Sequence, residues 1–242
     1  LAKRAGVERV IVGVPSWPNH AQICADLGLG VVEFNHAGAD GQTDMAALRS
    51  ALAAAGDKDA ILLHGCCHNP TGIDYTNAEW DEIAQLVANA KILPILDLAY
   101  QGLGNGMEEG AYGLSCVLAA VPEALICYSC DKNFGLYRDR VGALYVMAAA
   151  GEDLARMMSN AHGLARANWS QPPDHGAAAV RVILEDAALT AQWLAELDEM
   201  RDRMRLVRAK LAAAGTASGV DLSTMGNQNG LFSIVPLTKD QV

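Results

Sequence analysis

The chain has 242 residues, 51% of them apolar, and a formal charge of −10 at pH 7. That charge argues against nucleic acid or an anionic membrane surface as the main partner, although a small anionic ligand needs only a local cluster of donors. No apolar run approaches the roughly 20 residues of a membrane helix, and the N-terminal LAKRAGVERV lacks the apolar core of a signal peptide.

In chain order, RVIVGVP (9–15) predicts a strand and the stretch around HAQICADLG (20–28) a helix. GVVEFNH (30–36) is the next strand, and TDMAALRSALAAAG (43–56) a helix with Thr43 or Asp44 as cap and Gly56 as stop. DAILLHG (59–65) is a strand, followed by a helix over 77–90 in which Thr76 and Glu79 form a Thr-x-x-Glu capping box. ILPILD (92–97) reads as a buried strand, YGLSCVLAAV (112–121) as a helix, and ALICYSC (124–130) and VGALYVMA (141–148) as strands. Short strands alternating with helices imply β-α-β units and a three-layer α/β fold with a mostly parallel sheet. The link between the last two strands is too short for a helical crossover, so that pair is expected to be antiparallel.

Beyond Gly151 the pattern turns helical, with a long amphipathic helix over 189–213, and GLFSIVP (230–236) opens another strand. A boundary near Asp186 divides a large α/β domain (1–186) from the start of a smaller α+β domain (187–242). LTKDQV (237–242) reads as a helix start; with Leu1 at the other end, the chain reads as a segment of a longer protein. The six cysteines lie mostly inside apolar runs and read as buried free thiols in a reducing compartment, the cytoplasm.

In a parallel sheet ligands gather beyond the carboxyl ends of the strands. Here four such ends carry polar or reactive residues: SWPNH (16–20), CCHNPTG (66–72), Asp97 with LAYQG after it, and Ser129 with Lys132 just beyond. Lysine is rarely fully buried unless paired or chemically employed. Set against a solvated surface lysine, a strand-end amine can bond an aldehyde cofactor and later carry a proton. Asp97 could simply cap a turn, yet a carboxylate closing an apolar run is desolvated and wants a cation. The protonated ring nitrogen of pyridoxal phosphate is one, and Lys with Asp is the pairing that cofactor uses. The Ser129 hydroxyl and the planar donors of Arg140 would then hold the phosphate.

PSWPNH, HGCCHNPTG, LDLAYQG, SCDKNFGLYRDRVG, RANWSQPPDHGA and NQNGLFSIVPLTKDQV together resemble class I aminotransferases of pyridoxal-phosphate fold type I, in the aspartate and aromatic amino acid subgroup. The resemblance runs from about Arg9 to the end, with the blocks in family order. It implies that Lys132 is the Schiff-base lysine and proton carrier, and that Asp97 pairs with the pyridine nitrogen. It implies that Tyr100 and Asn69 hydrogen-bond the cofactor's phenolic oxygen and that Trp17 stacks on its ring. Ser129 and Arg140 become phosphate ligands, and His20 and His64 pack around the Asp97 carboxylate. Arg166, an ordinary helix-end charge on a plainer reading, becomes the arginine that a second subunit contributes to the substrate's distal carboxylate. Trp17 and Asn69 are placed beside the substrate as well. The implied protein is a homodimer with shared sites, moving an amino group between an L-amino acid, aspartate or aromatic, and a 2-oxo acid such as 2-oxoglutarate.

The family's glycine-rich phosphate turn, its phosphate-reaching tyrosine and its arginine for the substrate α-carboxylate have no counterpart here, so the chain alone is expected to hold the cofactor poorly and turn over slowly. Asp131 stands before Lys132 where the family usually has Ser, and Cys130 where many relatives have an aromatic residue. Cys66 and Cys67 with His64 and His68 could suggest a metal site, but adjacent residues at a strand end diverge and no second ligand pair follows, so no metal is expected. Two other readings share Lys132 and Asp97. One is an aminotransferase-like cofactor sensor of a regulator. The other is a lyase or decarboxylase of the same fold, against which Arg166 argues.

Overall fold

Six strands, β1 (Arg9–Val14), β2 (Gly30–Asn35), β3 (Asp59–His64), β4 (Leu93–Leu98), β5 (Ala124–Ser129) and β6 (Gly142–Met147), form one sheet in the order β2-β1-β3-β4-β5-β6. The structure, a computed structural model, describes residues 1–218, 220–235 and 237. The first five strands run parallel and β6 lies antiparallel to β5, as the short link between them requires.

Seven α-helices accompany the strands among the described residues: α1 (Pro18–Asp26), α2 (Met45–Ala53), α3 (Asn77–Ala90), α4 (Tyr112–Ala120), α5 (Gly151–Trp169), α6 (His175–Glu185) and α7 (Ala187–Ser218). α3 begins on the predicted capping box, with the Thr76 and Glu79 side chains each accepting the other's backbone N–H. Asp44, not Thr43, caps α2, accepting from the Ala47 N–H at 2.9 Å. α2 stops at Ala53, ahead of Gly56, which instead serves the turn into β3 by donating to the Asp59 carboxylate at 2.8 Å.

Alternating strand residues feed two cores. On one face Ile11, Ile61, Leu63, Leu96 and Ile126 pack against Leu48 and Leu52 of α2, Trp80, Ile83 and Val87 of α3, and Val117 of α4. On the other, Val10, Val12, Ala60 and Leu125 meet Cys24 of α1 and Met157 of α5. Each fully buried Leu, Ile or Val contributes roughly 1.5–3 kcal/mol of transfer free energy. The result is the expected three-layer α-β-α arrangement. It holds β1, β3, β4 and β5 parallel, so their carboxyl ends share one rim.

One expected element differs. Residues 230–235 form no strand; the carbonyls of Asn229, Gly230 and Phe232 accept from the Arg208 guanidinium of α7, so a side chain takes the place of a neighbouring strand. The helix start read over 237–242 lies, apart from Leu237, outside the described residues. All six cysteines are free.

Candidate active site

A cavity of about 310 Å³ opens at that rim, and eight of the predicted residues line it: Trp17, His64, Asn69, Asp97, Tyr100, Ser129, Lys132 and Arg140. Each arrives from a strand end or the loop after it, which is why a parallel sheet can gather residues so far apart in sequence.

At one end sits Asp97. β3 and β4 pair in a register that sets His64 beside it. His20, buried on α1, reaches the Asp97 Oδ2 with its Nε2 at 2.9 Å, so it stands behind the carboxylate rather than on the cavity wall. The proton positions follow from the partners. The Asn69 N–H donates to His64 Nδ1 at 3.2 Å, so a neutral His64 carries its proton on Nε2, which faces His20 Nδ1 at 3.4 Å. Ser16 Oγ lies 3.0 Å from the same His20 nitrogen. His20 Nδ1 is therefore an acceptor, and its Nε2–H donates to Asp97. Burial, the largest influence, lowers the His64 pKa to about 4, with the Asp97 charge opposing. One ligand atom each from His20, His64 and Asp97 lie within 4.8 Å of one another, so among the described residues the metal-like cluster is this one rather than Cys66 with Cys67. Because Ser16 and Asn69 engage both Nδ1 atoms, the geometry is that of an ordered hydrogen-bond chain.

At the other end sits Lys132. Its Nζ lies 5.2 Å from the centroid of the Tyr100 ring, and among the described residues the amine has no hydrogen bond or ion pair. Asn69 Nδ2 donates to Tyr100 Oη at 3.2 Å; burial raises the tyrosine's pKa and that hydrogen bond opposes the rise. The segment after Lys132 is anchored from α7. Trp193 Nε1 donates to the Asn133 carbonyl at 2.7 Å and its ring stacks on Phe134 at 4.3 Å. Ser129 Oγ accepts the Asp131 N–H at 3.2 Å, leaving its own proton to donate. Arg140 is paired through Nη1 with Asp131, whose side chain is 3% exposed against 73% for the arginine.

Phe232, to which the NQNGLFS motif gave no role, also lines the cavity, its ring edge-on to Tyr100 with centroids 5.9 Å apart. Its segment lies against the loop after β3. Gly72 (φ +69) and Gly230 (φ +73) permit this approach: a Cβ on Gly72 would come within 2.6 Å of the Phe232 carbonyl oxygen, and one on Gly230 would overlap Cys67. Asp74 secures the loop by accepting the N–H groups of Cys67 and His68, while the Asn229 amide donates to it at 3.2 Å. Cys66, Ala99 and Asp131 also line the cavity. The available signal was the pattern of glycines in two distant motifs. Arg166 does not line the cavity. It sits exposed in the last turn of α5 and donates to Ser170 Oγ at 2.7 Å.

The family described as "Aminotransferase class I and II" matches residues 1–242. The chain is 44% identical over 243 residues to a tyrosine aminotransferase of Rhizobium meliloti (strain 1021) and 44% identical over 245 residues to an aspartate aminotransferase of Escherichia coli (strain K12). All of this chain is matched in both cases, and it spans 62% of the length of each relative. Among solved structures it superposes with a TM-score of 0.94 on an aromatic-amino-acid aminotransferase from Burkholderia pseudomallei described as covalently bound to pyridoxal phosphate, at 35% identity over 99% of this chain and 61% of that one. The chain belongs to the class I and II aminotransferase family.

Proposed function

We propose that the protein transfers an amino group between an L-amino acid, aspartate or aromatic, and a 2-oxo acid such as 2-oxoglutarate, using pyridoxal phosphate at the Lys132 cavity. The observation that carries this reading is the convergence of an unpaired amine, a hydrogen-bonded carboxylate and a hydroxyl–guanidinium pair on one cavity of a member of this family. The donor set fits the cofactor: Lys132 for the aldehyde, Asp97 for the ring nitrogen, Ser129 and Arg140 for the phosphate, and Trp17 for the ring face. When bound, the cofactor supplies the aldehyde and a protonatable ring that accepts electrons from the substrate's Cα.

The chain's own residues do the rest. Lys132 anchors the cofactor and carries the proton through its Nζ. Asp97, oriented by the His20 Nε2–H, holds positive charge at the ring nitrogen. Asn69 and Tyr100, already joined, present a donor pair to the cofactor's phenolic oxygen. Arg166 faces the distal carboxylate of a substrate in the cavity of a second copy, so the working form is a homodimer. The large domain up to about Asp186 holds the cofactor, and the segment after it begins the small domain. A cytoplasmic location agrees with the six free cysteines, and among the described residues no helix is long and apolar enough to cross a membrane.

Half-reaction spectroscopy with aspartate, phenylalanine and tyrosine in turn tests the reading. Loss of the visible band with at least one donor is expected. A protein that binds the cofactor and converts with none of the three would overturn it in favour of a sensor.

A further inference from the structure

The chain of imidazoles behind Asp97 does not stop at His64. His68 leans on His64 with ring centroids 4.3 Å apart, and His36 stacks flat on His68 at 3.6 Å with 5° between the planes. His36 follows β2 directly and is 2% exposed; His68 lies in the loop after β3 and is 5% exposed. Neither has a part in the chemistry above.

Their neighbours order their protons too. His36 Nε2 faces the Ile73 carbonyl at 2.8 Å, which can only accept, so the proton is on Nε2 and Nδ1 accepts from the Tyr75 hydroxyl at 3.2 Å. Thr71 Oγ1 accepts the Ile73 N–H at 3.0 Å and turns its own proton to His68 Nδ1 at 2.9 Å. All four rings thus take one tautomer, with Nε2 protonated.

A second positive charge cannot be shared cheaply by rings this close in a poorly screened interior. Burial is the leading influence lowering the pKa of His36, His68 and His64, and the neighbouring rings lower those of His68 and His64 further. The opposing charges are Glu79 of α3, which acts on His36 and is itself held by Thr43 and Thr76, and Asp97 of β4, which acts on His64.

We propose that His36 and His68 are positioning residues for Asp97: their stack fixes the ring plane of His64 and so keeps its Nδ1 on the Asn69 N–H, the contact that sets the tautomer placing the His20 Nε2 proton on the Asp97 carboxylate. The functional consequence rests on reading Asp97 as the cofactor's ring partner, whereas the ring order is a property of the chain itself.

The test is long-range ¹H–¹⁵N spectroscopy of the histidine rings in ¹⁵N-histidine-labelled protein before cofactor loading. At pH 7 all four rings are expected to give the Nε2–H pattern. His36→Leu, and to a smaller extent Tyr75→Phe, should shift the His64 and His20 ring nitrogens toward a tautomer average. Tyr75→Phe removes only a hydroxyl, so it keeps the test open should His36→Leu fail to fold. A wild-type His64 protonated on Nδ1 would overturn the proposal, as would His64 and His20 signals that neither substitution moves. Shifted signals in a protein that never takes up pyridoxal phosphate would uphold the column and remove the reading of Asp97.

Discussion

The two ends of the cavity are built to different standards. Asp97 is backed by two imidazoles, His20 buried and His64 partly so, each with both ring nitrogens hydrogen-bonded within the chain, so its direction is set before any ligand arrives. The Lys132–Arg140 end is looser: the amine has only a ring face beside it, and Arg140 is largely exposed and tied to a neighbouring carboxylate. The Asp97 end is thus pre-organised by this chain, while at the other end the Lys132 amine is left without a hydrogen bond or ion pair among the described residues and the Arg140 guanidinium is held by Asp131.

Four substitutions and a pH series separate the two ends. Largest is Lys132→Ala, which on the proposed role removes both the covalent anchor and the proton carrier. The half-reaction rate should fall on the order of 10⁴-fold, read by rapid mixing with a saturating donor. Asp97→Asn keeps the shape but drops the charge, and should slow the same step by roughly 10²–10³-fold. A loss as small as that of a surface variant would mean the pre-organised end has no part in the chemistry. Arg166→Leu comes next. If Arg166 meets the distal carboxylate as proposed, the change leaves that of aspartate unpaired, at a cost of roughly 2–5 kcal/mol, while phenylalanine, lacking that carboxylate, should suffer much less. Equal losses for the two donors in separate half-reactions would make Arg166 structural.

Asp131→Ser addresses the loose end. Asp131 neutralises Arg140, and a pair with one exposed partner is worth about 0.2–1 kcal/mol, so releasing it should tighten pyridoxal phosphate or inorganic phosphate binding only a few-fold in equilibrium titration. Weaker binding would show that Asp131 instead holds Arg140 in place. Smallest and most gradual is the effect of pH. His64 titrates near 4 when folded against 6.5 ordinarily, and His36 and His68 are depressed as well. Below about 6.5 the unfolded chain therefore binds protons that the folded protein refuses. The stability His64 contributes is complete above that value and is lost as pH falls toward about 4, and His36 and His68 act in the same direction. Urea midpoints measured from pH 7 down to 4 should decline accordingly, and the decline should flatten in His36→Leu.

Most of this architecture could be read from residues. The capping box at Thr76, the strand–helix alternation and the antiparallel β6 each follow from short-range rules, and the strand-end argument placed Asp97, Ser129 and Lys132 at one rim. Other features were hidden for physical reasons. Residues 230–235 carry an apolar β-rich pattern, but what decides their conformation is a guanidinium more than twenty positions away on α7. Phe232 enters the cavity through two close glycine contacts that no local periodicity reports. His36 sits at the end of β2, a fifth strand end on the same rim, and its importance depends on a stacking partner from another loop.

Borohydride trapping followed by peptide mapping tests whether Lys132 is the residue that bonds pyridoxal phosphate. Lys132 is the only lysine between Lys91 and Lys210, so the labelled peptide is unambiguous. The pyridoxyl group is expected on Lys132, with no labelling after Lys132→Ala. A group found on Lys91 or Lys210, with Lys132 unmodified, would contradict it.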